Sequence, residues 1–154
     1  MWTLCYNATL DEGLSSAFRT LCLNRGPTVS VVMESYYNGI YGGYTPLSWT
    51  AFTENGDELK IDKYDSSIFT FRLTDRVNGT THEFVQCFDN TATNGVLMMD
   101  YNLYGPCFGN ASFCIIDSLV HFVDENAGMQ VGCATTDRGK TVMPYQRWEE
   151  YYLG

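Results

Sequence analysis

Short stretches in which apolar and polar residues alternate run along most of the chain, each bounded by turn-forming residues. Thr28-Val29-Ser30-Val31-Val32-Met33 places Val29, Val31 and Met33 on one side of a strand, because successive strand side chains point to opposite faces. Residues 39–44 read as the returning strand, and 68–73 put Phe69, Phe71 and Leu73 on one face. Residues 83–88, 96–99, 113–116, 129–133 and 148–153 read as further strands. Four Asn-Gly pairs punctuate the pattern: Asn38-Gly39, Asn55-Gly56, Asn78-Gly79 and Asn94-Gly95. The pair suits the positive φ angles of a type I′ hairpin turn. Three of them have strand-like flanks, whereas Asn55-Gly56 lies in a polar loop.

One segment has helical spacing instead. Leu14, Ala17, Phe18, Leu21 and Cys22 fall at i, i+3, i+4, i+7 and i+8, an apolar stripe on one helix face. Ser15 is the expected N-cap, after Asp11 and Glu12, and Gly26-Pro27 is the expected stop. Residues 117–124 fit a second helix or a strand equally well. Many short strands with one or two helices define an α+β, mainly β class. The expected architecture is a two-sheet antiparallel β-sandwich flanked by one or two short helices, in a single domain over residues 1–154.

Composition narrows the function. The chain is 45% hydrophobic and 15% aromatic, enough for a core that needs no metal or disulfide staple. Its net charge of −9 comes from nine basic and eighteen acidic residues. Nucleic-acid binders cluster Lys and Arg, but here Lys60 and Lys63 are the nearest thing to a patch, so nucleic acid is not an expected partner. No apolar run is long enough to span a membrane. The opening Met1-Trp2-Thr3-Leu4-Cys5-Tyr6 has neither the basic start nor the apolar core of a signal peptide. The six cysteines and three sequons (Asn7-Ala8-Thr9, Asn78-Gly79-Thr80, Asn110-Ala111-Ser112) leave a secreted disulfide protein and a cytosolic one both open.

Catalytic chemistry is sparse. The two histidines, His82 and His121, belong to no motif for nucleophilic catalysis, and there is no Gly-x-Ser-x-Gly. His82 with Cys87, or Cys107 with Cys114, are conceivable metal pairs. The lack of any Cys-x-x-Cys argues against structural zinc. No Gly-x-x-x-x-Gly-Lys-Ser/Thr loop is present to hold a nucleotide. Asp57-Glu58, Asp124-Glu125 and Glu149-Glu150 read as solvated faces; adjacent strand residues diverge, so Glu149 and Glu150 do not share a site. An outward Glu beside the Gly43 strand is a candidate partner contact. No catalytic residue, cofactor or metal is expected.

Six blocks in order carry a family resemblance. Leu4-Cys5-Tyr6-Asn7-Ala8-Thr9-Leu10-Asp11-Glu12-Gly13 opens the chain, and the helix ending at Cys22 follows. Gly26-Pro27-Thr28-Val29-Ser30-Val31-Val32 leads to Gly39-Ile40-Tyr41-Gly42-Gly43-Tyr44-Thr45 and on to Trp49. Then come Ile68-Phe69-Thr70-Phe71-Arg72-Leu73, Tyr104-Gly105-Pro106-Cys107-Phe108-Gly109 and Trp148-Glu149-Glu150-Tyr151-Tyr152-Leu153. Together they resemble the TLDc domain family over nearly the whole chain. Two departures mark a divergent member. Segment 124–138 matches only loosely, and Phe113 stands where the family loop places an Asp, which removes any polar role of that Asp.

The resemblance implies a non-enzymatic adaptor that binds peripheral subunits of the vacuolar proton-pumping ATPase and supports resistance to oxidative stress. It implies a cytoplasmic place, with organelle membranes reached only through a partner, and reduced cysteines packed as small apolar residues. An interferon-induced TLDc-like protein of innate immunity, lacking its GTPase segment, is an alternative. A thiol-based antioxidant using Cys5, Cys22, Cys87, Cys107, Cys114 or Cys133, and a secreted disulfide-bonded β module, are two more. The residues expected to shape the fold or a partner surface are Gly42, Gly43, Trp49, Gly105, Pro106, Phe108, Gly109, Glu149 and Glu150. Within them, Gly42 and Gly43 point to a bulge or a close backbone approach, and Trp49 and Phe108 to core plugs.

Overall fold

The computed structural model describes residues 1–36, 38–72, 85–87, 96–108, 113–122 and 142–154. In chain order the elements are β1 (Trp2–Asn7), α1 (Ser15–Cys22), β2 (Thr28–Glu34), β3 (Ile40–Thr45), β4 (Lys60–Asp65) and β5 (Phe69–Arg72). They continue with β6 (Val85–Cys87), β7 (Val96–Tyr101), β8 (Cys107–Phe108), β9 (Phe113–Ile116), β10 (Leu119–Phe122) and β11 (Val142–Leu153). The class is α+β, mainly β, with antiparallel pairing throughout the described strands. Residues 129–133, the Asn78-Gly79 and Asn94-Gly95 turns, His82 and Gly109 lie outside the described residues.

The strands follow one open hydrogen-bonded path, β4-β7-β8-β9-β10-β11-β2-β3-β5-β6, with β1 added beside β11. Twelve-residue β11 joins the two arms. Its first residues pair with β10 (Val142 with His121, Pro144 with Leu119), and the rest pairs with β2 and β1. A register shift between Tyr145 and Arg147 marks the changeover, since a bulge bends and twists the strand that carries it. The segment 117–124, open between helix and strand, is strand β10 at Leu119–Phe122.

Two local expectations change. The buried side of α1 is Ser15, Phe18, Arg19 and Cys22, while Leu14 and Leu21 are exposed. The helix is rolled from its apolar stripe because Arg19 and Ser15 find polar partners inside. Ser15 is the first helical residue, not the N-cap. Its N–H donates to Asp117 Oδ1 at 3.0 Å and its Oγ accepts the Asp117 N–H at 2.8 Å, so the cap comes from the β9–β10 turn. The β2–β3 connection is also not a two-residue type I′ turn. Among the described residues of the loop only Asn38 takes positive φ, at 55°, and Glu34 shapes the connection by accepting the N–H groups of Tyr36 and Gly39 at 2.6 Å each.

Core packing explains the strand glycines. The β2–β3 register is regular, so Gly42 and Gly43 serve close approach and not a bulge. A Cβ at Gly42 would lie 2.8 Å from Cε2 of Phe71, and one at Gly43 would lie 2.5 Å from Cζ of Phe108. Phe71 therefore covers one face of β3 and Phe108 presses on the other. A Cβ at Gly105 would meet Ile115 O at 2.7 Å and Trp148 Cη2 at 2.8 Å. Trp49, Trp148, Phe18 and Phe108 are each 0% exposed, with edge-on contacts between Phe18 and Trp49 and between Trp49 and Phe108. Pro106 is buried beside them and accepts the Ile115 N–H at 3.0 Å.

Candidate functional site

Three arrangements stand out against this core. The first is a buried charge knot. Arg19 on α1 pairs with Asp100 on β7 and donates to the carbonyls of Tyr104 at 2.8 Å and Tyr101 at 2.5 Å. Asp100 Oδ2 accepts Lys63 Nζ at 2.9 Å and the N–H groups of Thr50 and Ala51 at 2.7 and 3.1 Å. Burial pushes Asp100 up, but Arg19, Lys63 and the Thr50 N–H outweigh it and hold its carboxyl below the ordinary range. Lys63 also donates to Ser48 O at 2.6 Å, so of the expected Lys60 and Lys63 pair one is spent internally. Arg19 lies over the Phe18 and Trp49 rings at 5.4 and 5.5 Å. With both charges this buried and bonded, the knot positions α1 against β7 and offers no free group for chemistry.

The second is a polar seam on the inner face of β2, β3 and β11. Glu150 is 0% exposed and accepts Ser30 Oγ–H at 2.9 Å, with Trp148 Nε1–H at 3.5 Å from its other oxygen. Trp49 Nε1 donates to Thr28 Oγ1 at 2.9 Å. Burial pushes Glu150 up to about 7, against the pull of Ser30, Trp148, Thr28 and Arg19. Thr28, Ser30, Val32 and Glu34 form the fully buried side of β2, and Val29, Val31 and Met33 its half-buried outer side. The alternation is as expected, but the polar set faces inward because its partners wait there.

The third is the outer face. Cross-strand rows bring Leu4, Tyr151, Val29, Tyr44 and Phe69 together, with Glu149, Val31, Gly42 and Phe71 beside them. Trp2 meets Tyr44 edge-on at 6.5 Å, and Tyr44 meets Phe69 at 5.4 Å. A cleft of about 150 Å³ lies among Val31, Met33, Ile40, Arg147 and Glu149. Glu149 points out here, accepting the Tyr151 hydroxyl at 2.5 Å, while Glu150 points inward, so the two carboxylates part as strand geometry demands.

The cysteines overturn the reduced-thiol expectation. Cys5 on β1 is bonded to Cys22 on α1, and Cys107 on β8 to Cys114 on β9. Folding brings each pair within disulfide reach, with Cα atoms 5.5 and 4.2 Å apart. Cys107 and Cys114 are therefore a bridge and not a metal pair, and these four residues carry no thiol for antioxidant chemistry. Among the described residues no cysteine is free and no cluster of three His, Cys, Asp or Glu could hold a metal. Phe113 is 2% exposed and stacks on Phe108, so its ring fills the core beside β8. His121 is half-buried on β10, and burial lowers its pKa. No helix among the described residues is long and apolar enough to cross a membrane.

Nothing in the sequence singled out Arg19, Asp100, Glu34 or the cysteine pairing. A lone Arg beside the helix stripe and an Asp directly after the apolar run 96–99 were the available traces. No protein-family model and no curated protein matches the sequence.

Proposed function

We propose that the chain is a non-enzymatic protein-binding module of TLDc type, stapled by disulfides for work in an oxidising compartment. The Cys5–Cys22 and Cys107–Cys114 disulfides carry this reading. A domain of this size can be stable without bridges, and the glutathione-buffered cytosol keeps thiols reduced. Residues from the separate blocks of the resemblance, including Phe18, Val32, Tyr41, Ile68, Phe108 and Trp148, meet in one core cluster, as a single packed module requires. The fit of Phe108 against Gly43 supports a two-sheet sandwich, with β4, β7, β8, β9 and β10 facing β1, β2, β3, β5 and β6 and with β11 passing between the layers. The partner surface is the outer face around Glu149, where apolar rows are rimmed by charge.

Peptide mapping of the unreduced protein from the cells that make it tests the compartment. Linked Cys5–Cys22 and Cys107–Cys114 peptides support the reading, and alkylatable thiols at these positions refute it. The resemblance favours a second reading, a cytoplasmic regulator of the vacuolar proton-pumping ATPase. Capture of the pump's peripheral subunits by the wild-type chain, lost on Glu149→Lys, supports it. No capture under conditions where another TLDc domain binds removes it.

A further inference from the structure

We infer that Asn7 carries an N-linked oligosaccharide. This rests on the oxidising-compartment reading, because glycan transfer and disulfide formation take place in the same secretory lumen. Asn7-Ala8-Thr9 is an acceptor tripeptide, and β1 ends at its Asn. Tyr6 is 1% exposed and packs in the core, so alternation turns Asn7 to the outer side. Thr9 is exposed. The turn beyond is fixed by its backbone: the Asn7 carbonyl accepts the N–H groups of Leu10 and Asp11 at 3.0 and 2.8 Å, and the Ala8 N–H donates to Trp148 O at 2.9 Å.

The side chain is already divided between structure and chemistry. Asn7 Oδ1 accepts the Thr9 N–H at 3.0 Å, whereas no hydrogen bond engages Asn7 Nδ2 or the Thr9 hydroxyl among the described residues. Glycosylation uses Nδ2 alone. The donor is an oligosaccharide on a lipid-linked pyrophosphate. The bond from the sugar's anomeric carbon to the pyrophosphate oxygen breaks, the bond from that carbon to Nδ2 forms, Nδ2 gives up one proton, and the lipid pyrophosphate leaves. Oδ1 stays an acceptor, so the turn survives the modification.

The position also gives the sugar a use. Among the described residues β1 pairs only with β11, which leaves its other edge able to template pairing with another chain. A hydrated oligosaccharide at the end of that strand blocks such pairing. The sequons at Asn78 and Asn110 lie outside the described residues.

The test is site mapping on the protein purified from the cells that make it, with glycosidase treatment and unreduced peptide analysis of one sample. The expected result is a glycan lost on treatment, Asn7 converted to Asp, and the Cys5–Cys22 link intact. A linked Cys5–Cys22 with unmodified Asn7 overturns the inference and leaves the compartment reading standing. Free Cys5 and Cys22 overturn the compartment reading and the inference with it. Thr9→Ala keeps the backbone N–H that Asn7 Oδ1 binds, so this variant is expected to fold and keep its disulfide while losing the Asn7 glycan. A Thr9→Ala protein that retains the glycan at Asn7 refutes the assignment.

Discussion

Replacing Gly43 by Ala probes the close approach of Phe108 on β8 to β3. The added Cβ would lie 2.5 Å from Cζ and 2.7 Å from Cδ2 of Phe108, against about 3.5–4.0 Å for relaxed carbon contacts. Close to 1 Å must be recovered, roughly the difference between those figures. Phe108 cannot swing into solvent, being 0% exposed, and Trp49 and Phe113 lie against its ring. Overpacking a filled core costs about 1–3 kcal/mol, and with the ring hemmed in the upper half of that range is expected. Equilibrium unfolding in urea under non-reducing conditions measures it as a lower midpoint with an unchanged slope. Phe108→Leu removes the obstructing ring, so the double variant should recover about 1 kcal/mol or more relative to the sum of the singles. A Gly43→Ala cost under about 0.5 kcal/mol, below the overpacking range, or strict additivity with Phe108→Leu, refutes the close-approach argument.

Other consequences are as direct. Glu150 is held up to about 7 from an ordinary 4.5, so between these values the folded chain keeps a proton that the unfolded chain releases. Stability should fall by about 3 kcal/mol as pH rises through that window; Glu150→Gln should abolish the slope, and a slope unchanged in the variant refutes the assignment. Arg19→Met leaves Asp100 buried beside Lys63 alone and should cost about 3–5 kcal/mol. Because Asp100 is held below its ordinary range, its contribution is present above the unfolded value and lost as pH falls through the folded one. Acid titration of Arg19→Met should therefore show unfolding at higher pH than wild type, and an unmoved acid midpoint argues against the pair. Replacing both Cys5 and Cys22 by Ser opens a link across a sequence separation of 17, which should cost about 3 kcal/mol. Thermal unfolding under non-reducing conditions checks it, with the variant melting below the wild type; an unchanged melting temperature argues against the link.

Much of the strand pattern was legible because period-two alternation is local. β2, β3, β5 and β9 lie where alternation and turn residues put them. β4 was not visible, because Lys60-Ile61-Asp62-Lys63-Tyr64-Asp65 puts charge on both its exposed and its half-buried faces and lacks the β-branched run that marks a strand. The buried sides of β2 and α1 were not legible either. What draws Ser30, Thr28 and Arg19 inward is Glu150, Trp49 and Asp100, partners 120, 21 and 81 residues away in sequence. The candidate surface was half legible. Alternation separates Glu149 from Glu150 without any coordinates, but the cleft beside Glu149 needs Val31, Met33 and Ile40 from two other strands. Cysteine pairing follows from folded proximity, which spacing does not encode.

The two ends of the chain pair side by side, Trp2 opposite Leu153, with the Gly154 N–H on Met1 O at 3.3 Å. Tension applied at both ends therefore loads the β1–β11 ladder from one end, and its bonds open one after another instead of sharing the load. The peeling runs only as far as Cys5, where the link to Cys22 ties the strand to α1. Under pull the module yields early at its outermost rung and then holds, a covalent stop placed three residues inside a mechanically weak seam.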